Sequence, residues 1–191
     1  MTRTDSHDPA QPLHLMLDLE TLNNKPDSLI VEIGVVAFNP RTRQVVSEFQ
    51  VYVNDPHSRG SVSADTVMWW LGQSQEARDA LVSGFKQGAT EEAAAYKLRH
   101  WVHELQPDPK LVRVWGNGAS FDLPVLESLL TRVGTGTPWR YSGHRCFRTL
   151  KALAGDPEVP RSGDHIGLAD AQYQVEKTFA CMNVLGLVDL P

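Results

Sequence analysis

An apolar run over Leu13–Thr21 carries two carboxylates near its end. If the run is a strand, successive side chains point to opposite faces, so Asp18 and Glu20 project from one face and Leu17 and Leu19 from the other. Two neighbouring acids on a buried strand need a positive partner, because an unpaired buried charge costs several kcal/mol. The pattern therefore indicates a divalent cation such as Mg²⁺ or Mn²⁺, which prefers carboxylate oxygens. The alternative is a pair of solvated surface acids.

The same alternation predicts an antiparallel meander after this first strand. Residues 29–38 are β-branched and mostly apolar, residues 39–42 have the composition of a turn, and residues 45–53 alternate as a third strand. Glu32 is an acid within the second of these strands. We interpret it as structurally paired, with a supporting role beside the metal ligands as the alternative.

From Ser63 onward the spacing of apolar residues changes to that of helices. Residues 111–115 form the fourth predicted strand, and the glycine turn after it leads into a helix, which makes a parallel α/β unit. The predicted helices cover about residues 66–71, 75–82, 90–105, 120–133, 146–154 and 167–185, with a short strand at 139–141 and a loop over 155–163.

Length and composition favour one domain. The chain has 191 residues, of which 41% are hydrophobic, so we expect a single domain over residues 13–187 after a disordered lead-in over residues 1–12. The sequence has no apolar run of membrane-spanning length and no secretion signal, which predicts a cytoplasmic protein without a membrane partner. Cys146 and Cys181 are too few for a disulfide framework and lack the paired spacing of a zinc site.

The formal charge of −5 argues against a protein that coats long nucleic acid, because that mode of binding needs many Lys and Arg side chains against phosphates. A short polyanionic substrate is still compatible with this charge, since metal ions bound by a cluster of acids would cancel much of it. Five basic residues in the last third of the chain either lie in solvent or contact a phosphate backbone: Arg140, Arg145, Arg148, Lys151 and Arg161.

Three further residues complete a candidate site. Asp122 lies just after the fourth strand, at the carboxyl end where parallel sheets bind ligands. His165 and Asp170 are five residues apart, which on one helix would turn them about 140° from each other, so we place His165 in the loop before the last helix. An imidazole there can take a proton from a water molecule near neutral pH. Taken singly, Asp122 and Asp170 are equally well explained as helix N-terminal acids favoured by the dipole.

Three motifs carry a resemblance to a known family: residues 18–21 (DLET), 117–122 (NGASFD) and 165–171 (HIGLADA). Their order and spacing resemble the DEDDh group of the DnaQ-like exonuclease superfamily over nearly the whole chain. The resemblance implies an α/β fold of the ribonuclease H-like type, with a mixed five-stranded sheet flanked by helices. The sister group has a tyrosine four residues before the last aspartate, where this chain has Ile166, so the histidine type is indicated.

The resemblance also implies the roles of the site residues. Two Mg²⁺ or Mn²⁺ ions would be held by four carboxylates, and His165 would be the general base. The four implied metal ligands are Asp18, Glu20, Asp122 and Asp170.

Within the superfamily, the chain is most similar to compact phage and bacterial 3′-to-5′ exonucleases that carry a Trp-Trp pair. Some of these act on RNA, and relatives of exodeoxyribonuclease VIII act on DNA. The implied partner is the 3′ end of a single-stranded nucleic acid, the product is a nucleoside monophosphate, and a homodimer is expected by analogy. Five residues are expected at the substrate: Thr21, Leu22, Trp69, Asn117 and Phe121.

Trp69 and Trp70 are adjacent, hence about 100° apart on a helix, and cannot both face one groove. At least one is expected in the core, and Trp69 is the candidate for stacking on the terminal base. Thr21 and Asn117 are candidates for hydrogen bonds to the last phosphate or sugar, although turn chemistry explains Asn117 almost as well.

Two other functions stay open on the sequence alone. The chain could be a polymerase-associated proofreading subunit, or a nucleic-acid-binding scaffold with an inactive site. The sequence does not determine whether RNA or DNA is preferred, because the 2′-hydroxyl is recognised by a few contacts of unknown geometry.

Overall fold

A single mixed sheet organises the computed structural model, which describes residues 7–118, 120–161 and 165–191. The five strands have the order β3-β2-β1-β4-β5. The strands are β1 (Leu13–Thr21), β2 (Ile30–Asn39), β3 (Gln44–Tyr52), β4 (Val112–Gly116) and β5 (His144–Cys146). The helices are α1 (Ala64–Leu71), α2 (Gln75–Lys86), α3 (Glu91–Leu105), α4 (Asp122–Arg132), α5 (Phe147–Leu153) and α6 (Gly167–Leu185), with a 3-10 turn at Tyr141–Gly143.

The central strand β1 joins the two halves of the sheet. It pairs antiparallel with β2, which pairs antiparallel with β3, as the predicted meander requires. On its other side β1 pairs parallel with β4, and β4 pairs parallel with β5. The mixed five-stranded sheet flanked by helices confirms the predicted α/β, ribonuclease H-like fold class.

The two faces of β1 pack against different helices. Leu15 and Leu17 pack in a core shared with α3 and α4, whereas Met16 packs in a second core shared with α5 and α6. Since side chains alternate along a strand, Asp18 and Glu20 project on the same face as Met16. The carboxylates therefore stand on the side of the sheet that α6 covers.

The predicted short strand at residues 139–141 is wrong, and the fifth strand is His144–Cys146 instead. The aromatic composition there reflects the burial of Trp139, whose Nε1 donates to Glu127 Oε1 at 2.7 Å. Tyr141 is 88% exposed and begins the 3-10 turn. The strand forms only where the chain runs alongside β4 and can pair with Val114 to Gly116.

The segment before β1 contacts the end of α3. Gln106 Nε2 donates to the carbonyl oxygens of Pro9 and Gln11, at 3.0 Å each. Residues 1–6 of the predicted lead-in lie outside the described residues, as do residues 162 and 163 of the predicted loop. Among the helices in the described part of the chain, none is long and apolar enough to cross a membrane.

Candidate active site

Three separate segments meet around one pocket of about 340 Å³ at the end of the sheet. The end of β1, the start of α4 and the start of α6 each bring carboxylates to it. The predicted catalytic and metal-binding residues all line this pocket: Asp18, Glu20, Asp122, His165 and Asp170. Sequence positions up to 152 residues apart therefore reach a common space, as expected from the motifs.

Burial, and after it the charges of neighbouring carboxylates, disfavours ionisation of the two acids of β1. Burial raises the pKa of Glu20 to about 9, and the charges of Glu32, Asp170 and Asp122 add to the rise. Burial likewise raises the pKa of Asp18 well above its usual range, with Asp122 the largest of the neighbouring charges. These carboxyls are costly to ionise unless a cation is nearby.

Asp122 is the first residue of α4 and lies directly over the end of β4. A Cβ on Gly116 would lie 3.1 Å from Asp122 Oδ2, so the glycine allows the carboxylate to approach the strand. Burial raises the pKa of Asp122 to about 6, opposed by hydrogen bonds from the backbone of Leu19 and Asn117 and by the charge of Arg148. Of the site acids with a raised pKa, Asp122 is the easiest to ionise.

His165 and Asp170 lie on either side of the start of α6. The helix begins at Gly167, so His165 is in the loop and Asp170 in the first turn, as predicted. His165 has a positive φ of 62°, and its backbone N–H donates to Asp170 Oδ2 at 3.0 Å. This turn brings one ring nitrogen of His165 and one oxygen each of Glu20 and Asp170 within 4.8 Å of one another.

The start of α6 can approach the sheet because glycines face each other there. Gly34 on β2 is the register partner of Asp18, and a Cβ on Gly34 would overlap the carbonyl carbon of Gly167 and the nitrogen of Leu168. A side chain at position 34 would therefore push α6 away from β1. The small residue is a requirement for bringing Asp170 close to Asp18.

Glu32 on β2 binds the N-terminal end of α6 through a hydrogen bond. Its Oε1 accepts from the backbone N–H of Leu168 at 3.1 Å and from Gln50 Nε2 at 2.8 Å, and the residue is buried. Helix N-termini have unpaired N–H groups, and the N-cap residue Ile166 makes no side-chain cap. Glu32 thus supplies the missing cap, which agrees with the structural pairing expected from the sequence.

The two tryptophans of α1 are divided between core and surface. Trp70 is buried, and its Nε1 donates to the carbonyl oxygen of Thr21 at 3.0 Å. Trp69 is 46% exposed, and its ring lies edge-on to the His165 ring with centroids 4.8 Å apart. Trp69 is therefore the exposed member of the pair, and it lies beside His165 without itself lining the carboxylate pocket.

The other predicted substrate residues fall into two groups. Asn117 and Phe121 line the pocket, and Asn117 Oδ1 is buried without a hydrogen-bond partner among the described residues. Thr21 Oγ1 instead donates to the carbonyl oxygen of Asn23 at 2.7 Å. Leu22 lines a separate apolar cavity with residues of α2, including Phe85. Thr21 and Leu22 therefore do not line the carboxylate pocket itself.

Several pocket residues were not predicted from the sequence. Arg161, which the sequence placed only in a basic interval, has Nη2 2.7 Å from Asp170 Oδ1. Gln174 Nε2 donates to Asp18 Oδ1 at 2.7 Å. The spacing of Gln174, four residues after Asp170, puts both on one helix face and is the signal that could have found it. Lys151, from the same basic interval as Arg161, also lines the pocket, and the remaining lining residues outside the predicted site are Leu19, Phe147 and Tyr173.

The donor set suits a hard divalent cation. Carboxylate oxygens from three segments surround one pocket, and burial together with repulsion between their ionised forms raises the pKa of Asp18 and of Glu20. A cation between them would offset this repulsion and favour the ionised state. Among the described residues, Glu20, His165 and Asp170 also meet the spacing of a metal-binding group.

The sequence resembles known nucleases. A profile of the 3′-5′ exoribonuclease Rv2179c-like domain family matches residues 13–182. The exodeoxyribonuclease of Enterobacteria phage T4 is 27% identical over 125 residues, which cover 60% of this chain and 54% of the phage protein. The chain thus spans about half the length of that relative.

The fold resembles solved exonucleases. E. coli exonuclease I, in a complex with single-stranded DNA and zinc, superposes with a TM-score of 0.68 over 93% of this chain and 42% of its own, at 14% identity. A 3′-exonuclease that recognises the histone mRNA stem-loop gives 0.61 over 94% of this chain and 84% of its own, at 15% identity. At such low identity these likenesses concern the fold alone.

Proposed function

Because this chain belongs to the 3′-5′ exoribonuclease Rv2179c-like domain family, we propose that it removes nucleoside monophosphates from the 3′ end of single-stranded RNA or DNA by metal-dependent hydrolysis. The observation that carries the proposal is the meeting of four carboxylates and one imidazole, from three segments, at one pocket. Acids with strongly raised pKa values are costly to ionise in a folded protein, and such groups concentrate at functional sites.

The four carboxylates would hold two Mg²⁺ or Mn²⁺ ions, which when bound supply a nucleophile at neutral pH and stabilise charge on the leaving oxygen. Asp18 would hold the ions together with its neighbours, since the charges of Asp122, Glu20 and Asp170 all act on it. Glu20 and Asp170 lie on the His165 side of the pocket, since their oxygens approach its ring nitrogen. Asp122 completes the set from α4.

His165 is the general base in this proposal. Its backbone is held by Asp170 and its ring by the edge of Trp69, so the imidazole stays beside the carboxylates. From there it takes a proton from the attacking water and passes it to solvent. The water oxygen bonds to the phosphorus of the terminal nucleotide as the bond from that phosphorus to the 3′ oxygen of the preceding nucleotide breaks. The leaving 3′ oxygen takes a proton from solvent.

The terminal nucleotide would lie between Trp69 and Asn117. The exposed ring of Trp69 offers stacking to a base, and Asn117 lines the pocket where the sugar would lie. Lys151 and Arg161 also line the pocket and place positive charge where a phosphate would enter. A basic rim around acidic metal ligands accounts for a polyanionic substrate despite the net negative charge of the chain.

A gel assay tests the proposal. RNA and DNA of one sequence, each labelled at the 5′ end, are incubated with the protein in Mg²⁺, Mn²⁺ or EDTA. We expect a ladder that shortens from the 3′ end with either metal, and intact substrate in EDTA. Internal cuts, or binding without cleavage, would refute the proposal, and the second outcome would favour an inactive scaffold.

A pair of variants makes the same assay specific for the site. Asp18→Asn is expected to abolish cleavage while the melting temperature stays within a few degrees of the wild type, because the amide keeps the shape of the side chain. The matched control is Asp79→Asn, an exposed acid on α2 that lies outside the pocket and should leave cleavage unchanged. Activity in Asp18→Asn would remove Asp18 from the ligands.

A further inference from the structure

Gln174 is a buried amide in the middle of the carboxylate pocket. It lies on α6 one turn beyond Asp170, and only 4% of its surface is exposed. Its Nε2 donates to Asp18 Oδ1 at 2.7 Å, and its Oε1 is buried with no hydrogen-bond partner among the described residues. One end of the amide is therefore bound to a predicted metal ligand, and the other end is an enclosed acceptor without a partner among the described residues.

The two ends of this amide have different consequences. The Nε2 donation restrains the Asp18 carboxyl group and occupies one of its oxygens from the α6 side. Asp18 lines the pocket where the other acids converge, so the orientation of its carboxyl group there depends on this hydrogen bond. A buried amide oxygen is rarely left unpaired in proteins, because it loses its bonds to water without replacement. An amide kept here despite that cost indicates that its Nε2 bond to Asp18 matters to the site.

We propose that Gln174 is a positioning residue of this site, which orients the Asp18 carboxylate through its Nε2 hydrogen bond. The inference rests on the proposed hydrolytic function and adds to it a residue outside the three family motifs. Acting through Asp18, Gln174 is expected to affect the binding of the cations more than the folding of α6.

A second glutamine of the same helix provides a matched control. Gln172 Nε2 also donates to a carboxylate, Glu48 Oε1, at 2.8 Å, but this pair is exposed and lies away from the pocket. Replacing either glutamine with methionine keeps the length of the side chain and its helix propensity while it removes the amide. Because the substitution is the same at both positions, any difference between the two variants is due to the location of the lost amide.

The test measures Mn²⁺ binding by calorimetry without nucleic acid, together with the melting temperature in EDTA. For Gln174→Met we expect at least a tenfold weaker Mn²⁺ affinity and a melting temperature equal to or above that of the wild type. For Gln174→Asn, whose shorter amide reaches less far, we expect an intermediate affinity. Gln172→Met should match the wild type in both measurements.

The outcomes separate this inference from the proposed function. If the wild type binds Mn²⁺ and both Gln174 variants bind it within twofold of the same affinity, the positioning role is refuted and the exonuclease proposal stands. Loss of folding in both Gln174 variants would also refute it, because the amide would then be part of the core. If the wild type binds no Mn²⁺ at all, the proposed function itself fails.

Discussion

The backbone of Gly167, at the start of α6, passes directly over Gly34 in the sheet. A Cβ on Gly34 would overlap the carbonyl carbon of Gly167 and the nitrogen of Leu168. Gly34 is also the register partner of Asp18 on the neighbouring strand. This contact sets the distance between β1 and α6, and with it the distance between the carboxylates that the two elements carry.

We predict that Gly34→Ala destabilises the protein and impairs the site together. Inserting a methyl group into a backbone contact forces a shift that costs about 1 to 3 kcal/mol, and a helix that moves outward separates Asp170 from Asp18. Urea unfolding and Mn²⁺ affinity of the purified variant check both effects. An alanine variant with wild-type stability and affinity would show that the contact does not position α6.

The cap from Glu32 predicts a graded response to substitution. Glu32→Ala leaves the N–H of Leu168 and the amide of Gln50 without their acceptor, at a cost of about 1 to 3 kcal/mol. Glu32→Gln retains an acceptor oxygen and should cost less. The free energy of unfolding is measured in urea. Glu48→Ala on β3 removes an acceptor from a surface pair and should cost less than about 0.5 kcal/mol.

The raised carboxyl pKa values predict how stability depends on pH in EDTA. Burial raises the pKa of Glu20 to about 9, so the folded protein keeps a proton that the unfolded chain releases near pH 4 to 5. The stability from this proton is complete at lower pH and is lost as the pH rises through about 9.

The measurement compares the wild type with Glu20→Gln between pH 5 and 9 in EDTA. The wild type should lose stability relative to the variant by up to about 1.4 kcal/mol for each pH unit, the value for one retained proton. Added Mn²⁺ should reduce this dependence, because a bound cation replaces the proton. A difference between the two proteins that is independent of pH would contradict the raised pKa of Glu20.

Trp69 is exposed and Trp70 is buried, so we predict that replacing Trp69 affects substrate binding and replacing Trp70 affects stability. Trp69→Ala should raise KM for short oligonucleotides, since stacking on a base contributes about 1 to 3 kcal/mol, with little change in melting temperature. Trp70→Ala removes a buried ring that also bonds to Thr21 and should cost about 3 to 5 kcal/mol of stability. Thermal melts and steady-state kinetics of both variants distinguish the roles. A large loss of stability with unchanged KM in Trp69→Ala would assign that ring to the core.

The sequence predicts a strand well where apolar residues alternate along it with the residues of the site. In β1 the alternation of leucines with Met16, Asp18 and Glu20 places the carboxylates on one face, as found. The prediction of the fifth strand is wrong because its three residues have no alternating hydrophobic pattern. They form a strand only through backbone pairing with the neighbouring β4. Pairing partners of that kind are set by the tertiary fold and are not visible in local spacing.

The contacts that support the site were harder to predict than its ligands. Asp122, His165 and Asp170 are marked by motifs, whereas Glu32 and Gln174 act through partners that are more than 130 positions away in the sequence. Trp69 and Trp70 are neighbours of the same type, so only the direction of α1 against the sheet decides which one is buried. Such roles depend on the three-dimensional approach of elements.

Anomalous diffraction at the manganese edge, from crystals soaked with Mn²⁺ and a nucleoside 5′-monophosphate, tests most directly whether these carboxylates form a two-metal site. We expect two peaks about 3.5 to 4 Å apart, with Asp18 contacting both and with Glu20, Asp122 and Asp170 completing their coordination. Peaks that lie away from the pocket, or a pocket whose acids contact no manganese at all, would contradict the metal-dependent mechanism proposed for this protein.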